Sequence, residues 1–395
     1  MGSAREKLDS AGHEKVDCKV CGLWFHRLDV HVNSQHSMTI DRYKEMYPGA
    51  QTISTWASAN ARKARAEKIE PVVSAPTATK VAPVVSAPLE AGVLQFGTVK
   101  LRRRTDLKST DAAFVPVHNP LWSPFGVNEK AMWEYIALGV SQNENVLLVG
   151  ETGLGKSTGV EQLANVLNQP VRKINLHGDV RAADFLGETQ VVVDPTTGQA
   201  ITSWADGILP DAMRRGHWLL LDELDAAPAA ILFVLQGVLE PGHKLVLTGN
   251  KGEVVEPHPN FRILATANTL GRGDDSGLYA GTNVLNEAFL DRWAVVIRCV
   301  YPDPVSEAKI LVAYSGIIRK MADDMVSVAN RVREAKAHET CYCTFSLRRL
   351  IAWATKTAQL GDVRKAAQVT VVNKLSGDDA KMVSDLIQRQ FGGAL

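Results

Sequence analysis

At 395 residues, with 45% hydrophobic and 22% charged residues and a formal net charge of +1, the chain has the make-up of a soluble globular protein with room for two or three domains. So near neutrality it carries no global field for nucleic acid or a membrane surface, no apolar run approaches the roughly 20 residues of a membrane helix, and the opening MGSAREKLDS lacks a signal-peptide core. Five cysteines, Cys18, Cys21, Cys299, Cys341 and Cys343, are too few and too unevenly placed for a disulfide framework, so a reducing cytoplasm is the expected compartment.

The first module spans residues 1–50. Cys18 and Cys21 form a C-x-x-C turn, nine residues separate Cys21 from His31, and four separate His31 from His36. A C-x-x-C turn places two thiolates on one ion, and two histidines five positions apart on a helix supply the remaining corners of a tetrahedral Zn²⁺ site. His13 and His26 are alternative ligands. With the following HSMTIDRYKEMYP the spacing resembles the Ros/MucR type of bacterial zinc finger, which implies DNA contact. Lys15, Lys19, Arg27, Arg42 and Lys44 are nearly balanced by acidic residues, so contact with DNA and contact with protein both stay open. So short a module has little core, and the ion is expected to supply much of its folding energy.

Residues 51–112 read as a linker. STWASANARKARAEKIE is a possible short helix, and PVVSAP then occurs at 71–76 and again at 83–88, an extended Pro/Ala-rich stretch with little to bury. It ends in KLRRRTDLK, residues 100–108, which reads as a solvated linker end or as a phosphate-binding patch.

From 113 to 302 the pattern turns α/β. NVLLVG, VRKINL, HWLLLDE, FRILATAN and WAVVIRCVY read as buried strands alternating with helices, which predicts a parallel sheet covered on both faces. The first strand runs into GETGLGKST, that is Gly150, Glu151, Thr152, Gly153, Leu154, Gly155, Lys156, Ser157 and Thr158. This is a G-x-x-x-x-G-K-[ST] phosphate loop. Its glycines let backbone N–H groups face an ATP phosphate chain, Lys156 reaches the β- and γ-phosphates, and the Ser157 hydroxyl ligates Mg²⁺. In LLLDELD a strand delivers Asp222 and Glu223 to the carboxyl edge of the sheet, Asp222 for the Mg²⁺ shell and Glu223 to polarise the attacking water. Asp225 is expected just past the site, on the surface. Asn268 ends RILATAN, where its amide either holds the water or γ-phosphate or serves as a plain turn residue. TQVVV and QAITSW flank the turn cluster DPTTG and read as a hairpin. Residues 303–395 are helical and form a closing lid.

Lys156, Asp222–Glu223 and Asn268 resemble, in order and approximate spacing, the Walker A, Walker B and sensor 1 elements of an AAA+ ATPase. GKSTGVEQLANVLNQPVRKINL, DGILPDAMRRGHWLLLDELDAAPAAILFVLQGVLE, HPNFRILATANTLGRGDDSGLYAGT and LNEAFLDRW further resemble the MoxR branch, and within it the cobaltochelatase ATPase-subunit type, over roughly residues 113–355. The resemblance implies a homo-oligomeric ring of hexameric type and a hairpin inserted in the second helix that faces the ring pore. It implies a trans-acting arginine finger at Arg292, which could equally be a salt-bridge partner, and a sensor 2 arginine at Arg348. Where the family has Pro before that arginine this chain has Leu347, and Arg349 follows, so the choice between Arg348 and Arg349 stays open. Three functions follow: an ATP-driven remodeller of a protein partner, a DNA-associated motor targeted by the finger, and a metal-chelatase ATPase. The mixture of modules suits a bacterial phage or mobile-element gene.

Overall fold

The computed structural model describes residues 14–25, 28, 31, 32, 36, 38, 40–55, 92–127, 130–269, 283, 285–338, 340–375 and 377–392. The PVVSAP repeats, most of the possible helix 54–70, His13, His26 and the stretch 270–282 lie outside them. The chain divides into two compact units, Met1–Val81 and Ala82–Leu395.

In the first unit a two-residue antiparallel ladder pairs Val16–Asp17 with Trp24–Phe25, and a helix follows at Ile40–Met46. Val16, Cys18, Leu28, Val32 and Tyr43 are its buried apolar residues.

The second unit is built on five parallel strands: β1 Val146–Val149, β2 Val171–Asn175, β3 Trp218–Asp222, β4 Arg262–Ala267 and β5 Val295–Arg298, in the order β5-β1-β4-β3-β2. Period-two alternation sends successive apolar side chains to opposite faces. Val146, Leu148, Leu220, Leu264 and Ile297 enter one core, with helices α1 (Met132–Gln142) and α2 (Lys156–Val166) packed on it. Leu147, Val149, Leu219, Leu221, Ile263 and Ala265 enter the other, with α3 (Ala182–Leu186), α4 (Ile208–Arg215) and α5 (Ala229–Val238). Each fully buried leucine or isoleucine contributes about 1.5–3 kcal/mol, so the carboxyl ends of these strands form a stiff platform.

The end of the expected linker is part of this unit. Val93–Phe96 and Val99–Arg102 pair as an antiparallel hairpin, and Phe96 meets the Trp133 ring edge-on with centroids 6.0 Å apart. In KLRRRTDLK the basic residues Lys100, Arg102, Arg103 and Lys108 are exposed, as a solvated stretch would be, but Arg104 is not. That side chain is buried and donates to the Gly216 and Arg215 carbonyls at 2.7 and 3.0 Å. The apolar positions of VLQF and VKLR supply the reason, because they cover α1.

Between α3 and α4 a seven-pair hairpin joins Gly187–Val193 to Ala200–Asp206, and Val191 and Val193 on it are 75% and 68% exposed. A second hairpin, Leu245–Leu247 with Glu253–Val255, lies between α5 and β4. Its signal in KLVLTGNKGEVV is an Asn-Lys-Gly turn between short apolar alternations. The lid comprises α6 (Pro304–Ser315), α7 (Arg319–Ala337), α8 (Leu347–Leu360), α9 (Val363–Thr370) and α10 (Gly377–Phe391) around their own core. The Asp303 side chain caps α6, and Pro304 stands in its first turn, where a missing N–H costs nothing. Glu307, fully buried, is held by two parallel hydrogen bonds from Arg333 at 2.7 and 2.8 Å.

Candidate active site

The phosphate loop leaves β1 at Gly150, where a Cβ would stand 2.5 Å from the Cys299 carbonyl oxygen, so only glycine fits. It enters α2 through Gly155 at φ +81, the left-handed conformation that glycine adopts without strain. Leu154 anchors the loop in the core. Lys156 begins α2, and its Nζ donates to the Gly150 and Glu151 carbonyls at 2.6 and 3.0 Å and to Asn268 Oδ1 at 3.1 Å. Burial pulls its pKa below the ordinary lysine value, against the charges of Asp222, Asp225 and Glu223. Glu151 faces the lid. Lys336 Nζ and the Tyr301 hydroxyl both donate to its carboxylate at 2.7 Å. Burial disfavours its charge, but those bonds outweigh it and hold the group below the usual carboxylate range.

Ser157 Oγ donates to Asp222 Oδ1 at 2.6 Å, and the Thr266 hydroxyl donates to the same oxygen. Lys173 Nζ stands 3.1 Å from Asp222 Oδ2. Burial raises the Asp222 pKa, and these three partners more than reverse it, so the group stays ionised. A hydroxyl and a carboxylate this close, beside a lysine-bearing phosphate loop, form the hard-oxygen donor set that suits Mg²⁺. Glu223 follows at φ +59, an uncommon backbone conformation for a residue with a side chain. Its N–H donates to Thr266 Oγ1 at 3.3 Å.

Asp225 corrects the expectation of a surface role. The turn Leu224–Ala226 after Glu223 folds it back under the sheet edge, and it is fully buried. Its Oδ2 accepts from the Asn268 N–H at 3.0 Å, the Thr269 N–H at 2.8 Å and the Thr269 hydroxyl at 3.0 Å. It thereby ties the end of β4 to the turn after β3. A second acid after Glu223 in DELD was the available signal, but only the fold reveals its direction.

Arg292 is not brought to this cluster. It lies three residues before Val295, and Val295 is in register with Val146, the first residue of β1. It therefore stands at the amino edge of the sheet, whereas the phosphate loop leaves the carboxyl edge. There its guanidinium pairs with Glu240 at 2.6 Å. The lid's two arginines separate. Arg348 donates its backbone N–H to the Gly153 carbonyl at 3.3 Å and lines a cavity of about 280 Å³. Arg349 instead donates its backbone N–H to Ser346 Oγ at 3.2 Å, in the first turn of α8. That cavity adjoins Gly153, Gly155 and Thr158 and is walled by Trp122, Phe125, Tyr314 and Ile351. Its walls come from NPLWSPF and two lid helices, so no local motif announces them. Thr152 lies in the loop between Glu151 and Gly153.

In the first unit Cys18, Cys21, His31 and His36 converge, each offering one ligand atom within 4.8 Å of the others. Cys21 Sγ is 3.2 Å from His31 Nε2 and Cys18 Sγ 3.5 Å from His36 Nε2. The turn is closed by Gly22 at φ +71, whose N–H donates to the Cys18 carbonyl at 2.7 Å. Two sulfurs and two imidazole nitrogens at these separations fit a tetrahedral ion about 2.0–2.3 Å from each. Burial, then the charge of His36, lowers the His31 pKa and favours the neutral form that ligates.

A parallel sheet with this order, a phosphate loop at one carboxyl edge and a serine–aspartate pair beside it define a P-loop nucleotide hydrolase. The AAA domain (dynein-related subfamily) matches residues 145–292, and the CbbQ/NirQ/NorQ C-terminal domain matches residues 307–389. The chain is 37% identical to the aerobic cobaltochelatase subunit CobS of a Sinorhizobium species over 262 residues, 65% of this chain and 78% of that protein. It is 30% identical to the denitrification regulatory protein NirQ of Pseudomonas aeruginosa, over 60% of this chain and 86% of that one. It is 35% identical to Midasin of Giardia intestinalis over 151 residues, but these are only 3% of that protein. The chain belongs to the AAA+ ATPases of the MoxR type, with CobS and NirQ among its relatives, and it is an ATP hydrolase that uses nucleotide and Mg²⁺. No helix among the described residues is long and apolar enough to cross a membrane.

Proposed function

We propose that the chain works as a hexameric ring in the bacterial cytoplasm, each subunit completing its neighbour's site, and spends ATP on remodelling a macromolecular partner. Residues 1–50 form its zinc-binding targeting module, and residues 303–395 the lid over the nucleotide. The ring reading is carried by the position of Arg292. Lys156, Ser157, Asp222, Glu223 and Asn268 belong to one carboxyl edge, and Arg292 of the same chain belongs to the opposite edge, so it serves a neighbour's nucleotide or none.

In this reading the aromatic cavity beside Gly155 takes the base of ATP. Water held by Glu223 attacks the γ-phosphorus in line, the bond to the bridging oxygen breaks, ADP leaves, and Glu223 takes the water's proton. Lys156 and the neighbour's Arg292 offset the charge that builds on the γ-phosphate. Asn268 orients the water or the γ-phosphate, and Arg348 reports the nucleotide to the lid. Ser157 and Asp222 would hold Mg²⁺, which when bound would supply positive charge against the phosphate oxygens. The insert hairpin, with its exposed valines, is the surface that grips the partner.

The test is complementation. Arg292→Ala chains should fold, bind ATP and lose about 10³- to 10⁵-fold in turnover. Mixing them with Lys156→Ala chains should restore part of it, because an intact Lys156 site can then face an intact Arg292. No recovery on mixing would mean that Arg292 does not complete a neighbour's site, and would overturn the trans reading. A second reading, the ATPase subunit of a metal chelatase, is favoured by the identity with CobS. Stimulation by a protein encoded beside this gene supports the remodeller. Stimulation by DNA alone supports a DNA-associated motor, and stimulation only by a metal-inserting subunit with its macrocycle supports the chelatase.

A further inference from the structure

Lys173 has no place in the nucleotide chemistry described above, yet it touches the Mg²⁺ carboxylate. It lies on β2 opposite Leu220 of β3, two residues short of the Asn175–Asp222 pair. Its Nζ is 3.1 Å from Asp222 Oδ2 and 3.2 Å from Glu161 Oε1. Glu161 stands four residues after Ser157 on α2, hence on the same helix face. Asp222 therefore has one oxygen committed to the hydroxyls of Ser157 and Thr266 and the other to an ammonium. Together with Lys156, Lys173 gives this end of the site two lysine cations before any nucleotide arrives.

Two consequences follow from charge alone. A fixed cation on Asp222 repels a divalent ion at the same carboxylate, and at these distances the repulsion is only partly screened. Lys173 is also already within hydrogen-bonding distance of a second acceptor, so it can release Asp222 to Mg²⁺ and keep Glu161 as a partner. We propose that Lys173 is an internal counter-ion shared between Asp222 and Glu161, which holds off Mg²⁺ until the phosphates of ATP bring in enough negative charge to displace it. Metal uptake is thereby made conditional on nucleotide. The proposal rests on the reading of Asp222 and Ser157 as the Mg²⁺ residues.

The experiment measures binding in the full-length protein, not turnover. Equilibrium titrations with a fluorescent ATP analogue are run from excess EDTA to millimolar Mg²⁺, and free Mn²⁺ binding is followed by its paramagnetic signal without nucleotide. In Lys173→Met the Mg²⁺ concentration giving half of the metal-dependent gain in ATP affinity should fall about tenfold, the equivalent of one charge-assisted hydrogen bond. Mn²⁺ should also bind more tightly without nucleotide. Glu161→Gln removes the negative charge of the alternative acceptor and should raise that Mg²⁺ concentration, but should do little in a Lys173→Met background. An unchanged or higher Mg²⁺ requirement in Lys173→Met would mean that the lysine orients Asp222, and overturns the proposal. Asp222→Asn separates the two levels. If its ATP binding keeps the wild-type Mg²⁺ dependence, the assignment of Asp222 to the metal falls first, and the role of Lys173 falls with it. If that dependence is lost while Lys173→Met changes nothing, the site stands and only the counter-ion is wrong.

Discussion

The phosphate-loop site and the Cys/His site both gather polar side chains at one point, but from opposite resources. The first hangs on the carboxyl ends of buried parallel strands between two large apolar cores. Its Ser157–Asp222 and Lys156–Asn268 contacts are made by protein atoms alone. The second hangs on a two-residue ladder and a core of Val16, Cys18, Leu28, Val32 and Tyr43. A platform of main-chain ladders keeps its shape without a ligand. With so few buried apolar residues among those described, the module is expected to draw on the ion proposed for it in order to fold.

The largest effect should come from removing the zinc proposed for the Cys/His site. Structural zinc sites of this kind are worth about 10–16 kcal/mol near neutral pH. In the full chain, a chelator or Cys18→Ala should collapse amide-exchange protection around Cys18–His36 while leaving the strands β1–β5 protected. Metal analysis should find one zinc per chain. Protection that survives the chelator would remove the contrast between the two sites.

Glu223→Gln should cut turnover by about 10²- to 10⁴-fold, the usual weight of a positioned base, with ATP affinity and melting temperature held. A preformed site predicts that split. A large fall in melting temperature would mean that Glu223 also supports the fold.

Asp225→Ala should cost about 1–3 kcal/mol in denaturant unfolding, because the N–H groups of Asn268 and Thr269 lose a buried acceptor. It should also lower turnover through Asn268. Unchanged stability would show that the edge of the sheet is less rigid than its hydrogen bonds imply.

The smallest effect concerns the lid. The Lys336–Glu151 pair is partly exposed, so Lys336→Met should cost about 1 kcal/mol or less. Because the folded Glu151 pKa is depressed, its contribution is full above the unfolded value of about 4.3 and is lost as pH falls through the folded one. Wild-type and Lys336→Met stabilities, compared by denaturant unfolding, should differ near pH 7 and converge in that acid window. A difference that persisted at low pH would assign the effect to packing.

Much of both sites was legible because their chemistry is local. GETGLGKST carries its own turn geometry, and an apolar run ending in Asp222–Glu223 or Asn268 announces a strand that emerges at a ligand edge. The Cys18, Cys21, His31 and His36 spacing likewise states a ligand set. The reading failed where neighbours decide. Asp225 looks like any acid in a turn until β4 is laid beside β3. The stretch 93–104 looks like linker until VLQF and VKLR find α1 to cover.

From its residues alone the chain determined an α/β nucleotide hydrolase with a four-ligand Cys/His module, since phosphate cradling and metal ligation demand particular side chains at short, fixed spacings. Only the tertiary structure decided which of two adjacent lid arginines lines the cavity beside Gly155, that Arg292 stands at the far edge of its own sheet, and that Lys173 reaches Asp222. Those relations join residues far apart in the chain, from 49 positions (Lys173 and Asp222) to 195 (Gly153 and Arg348). Strand order and helix packing set such distances, and no local pattern of side chains encodes them.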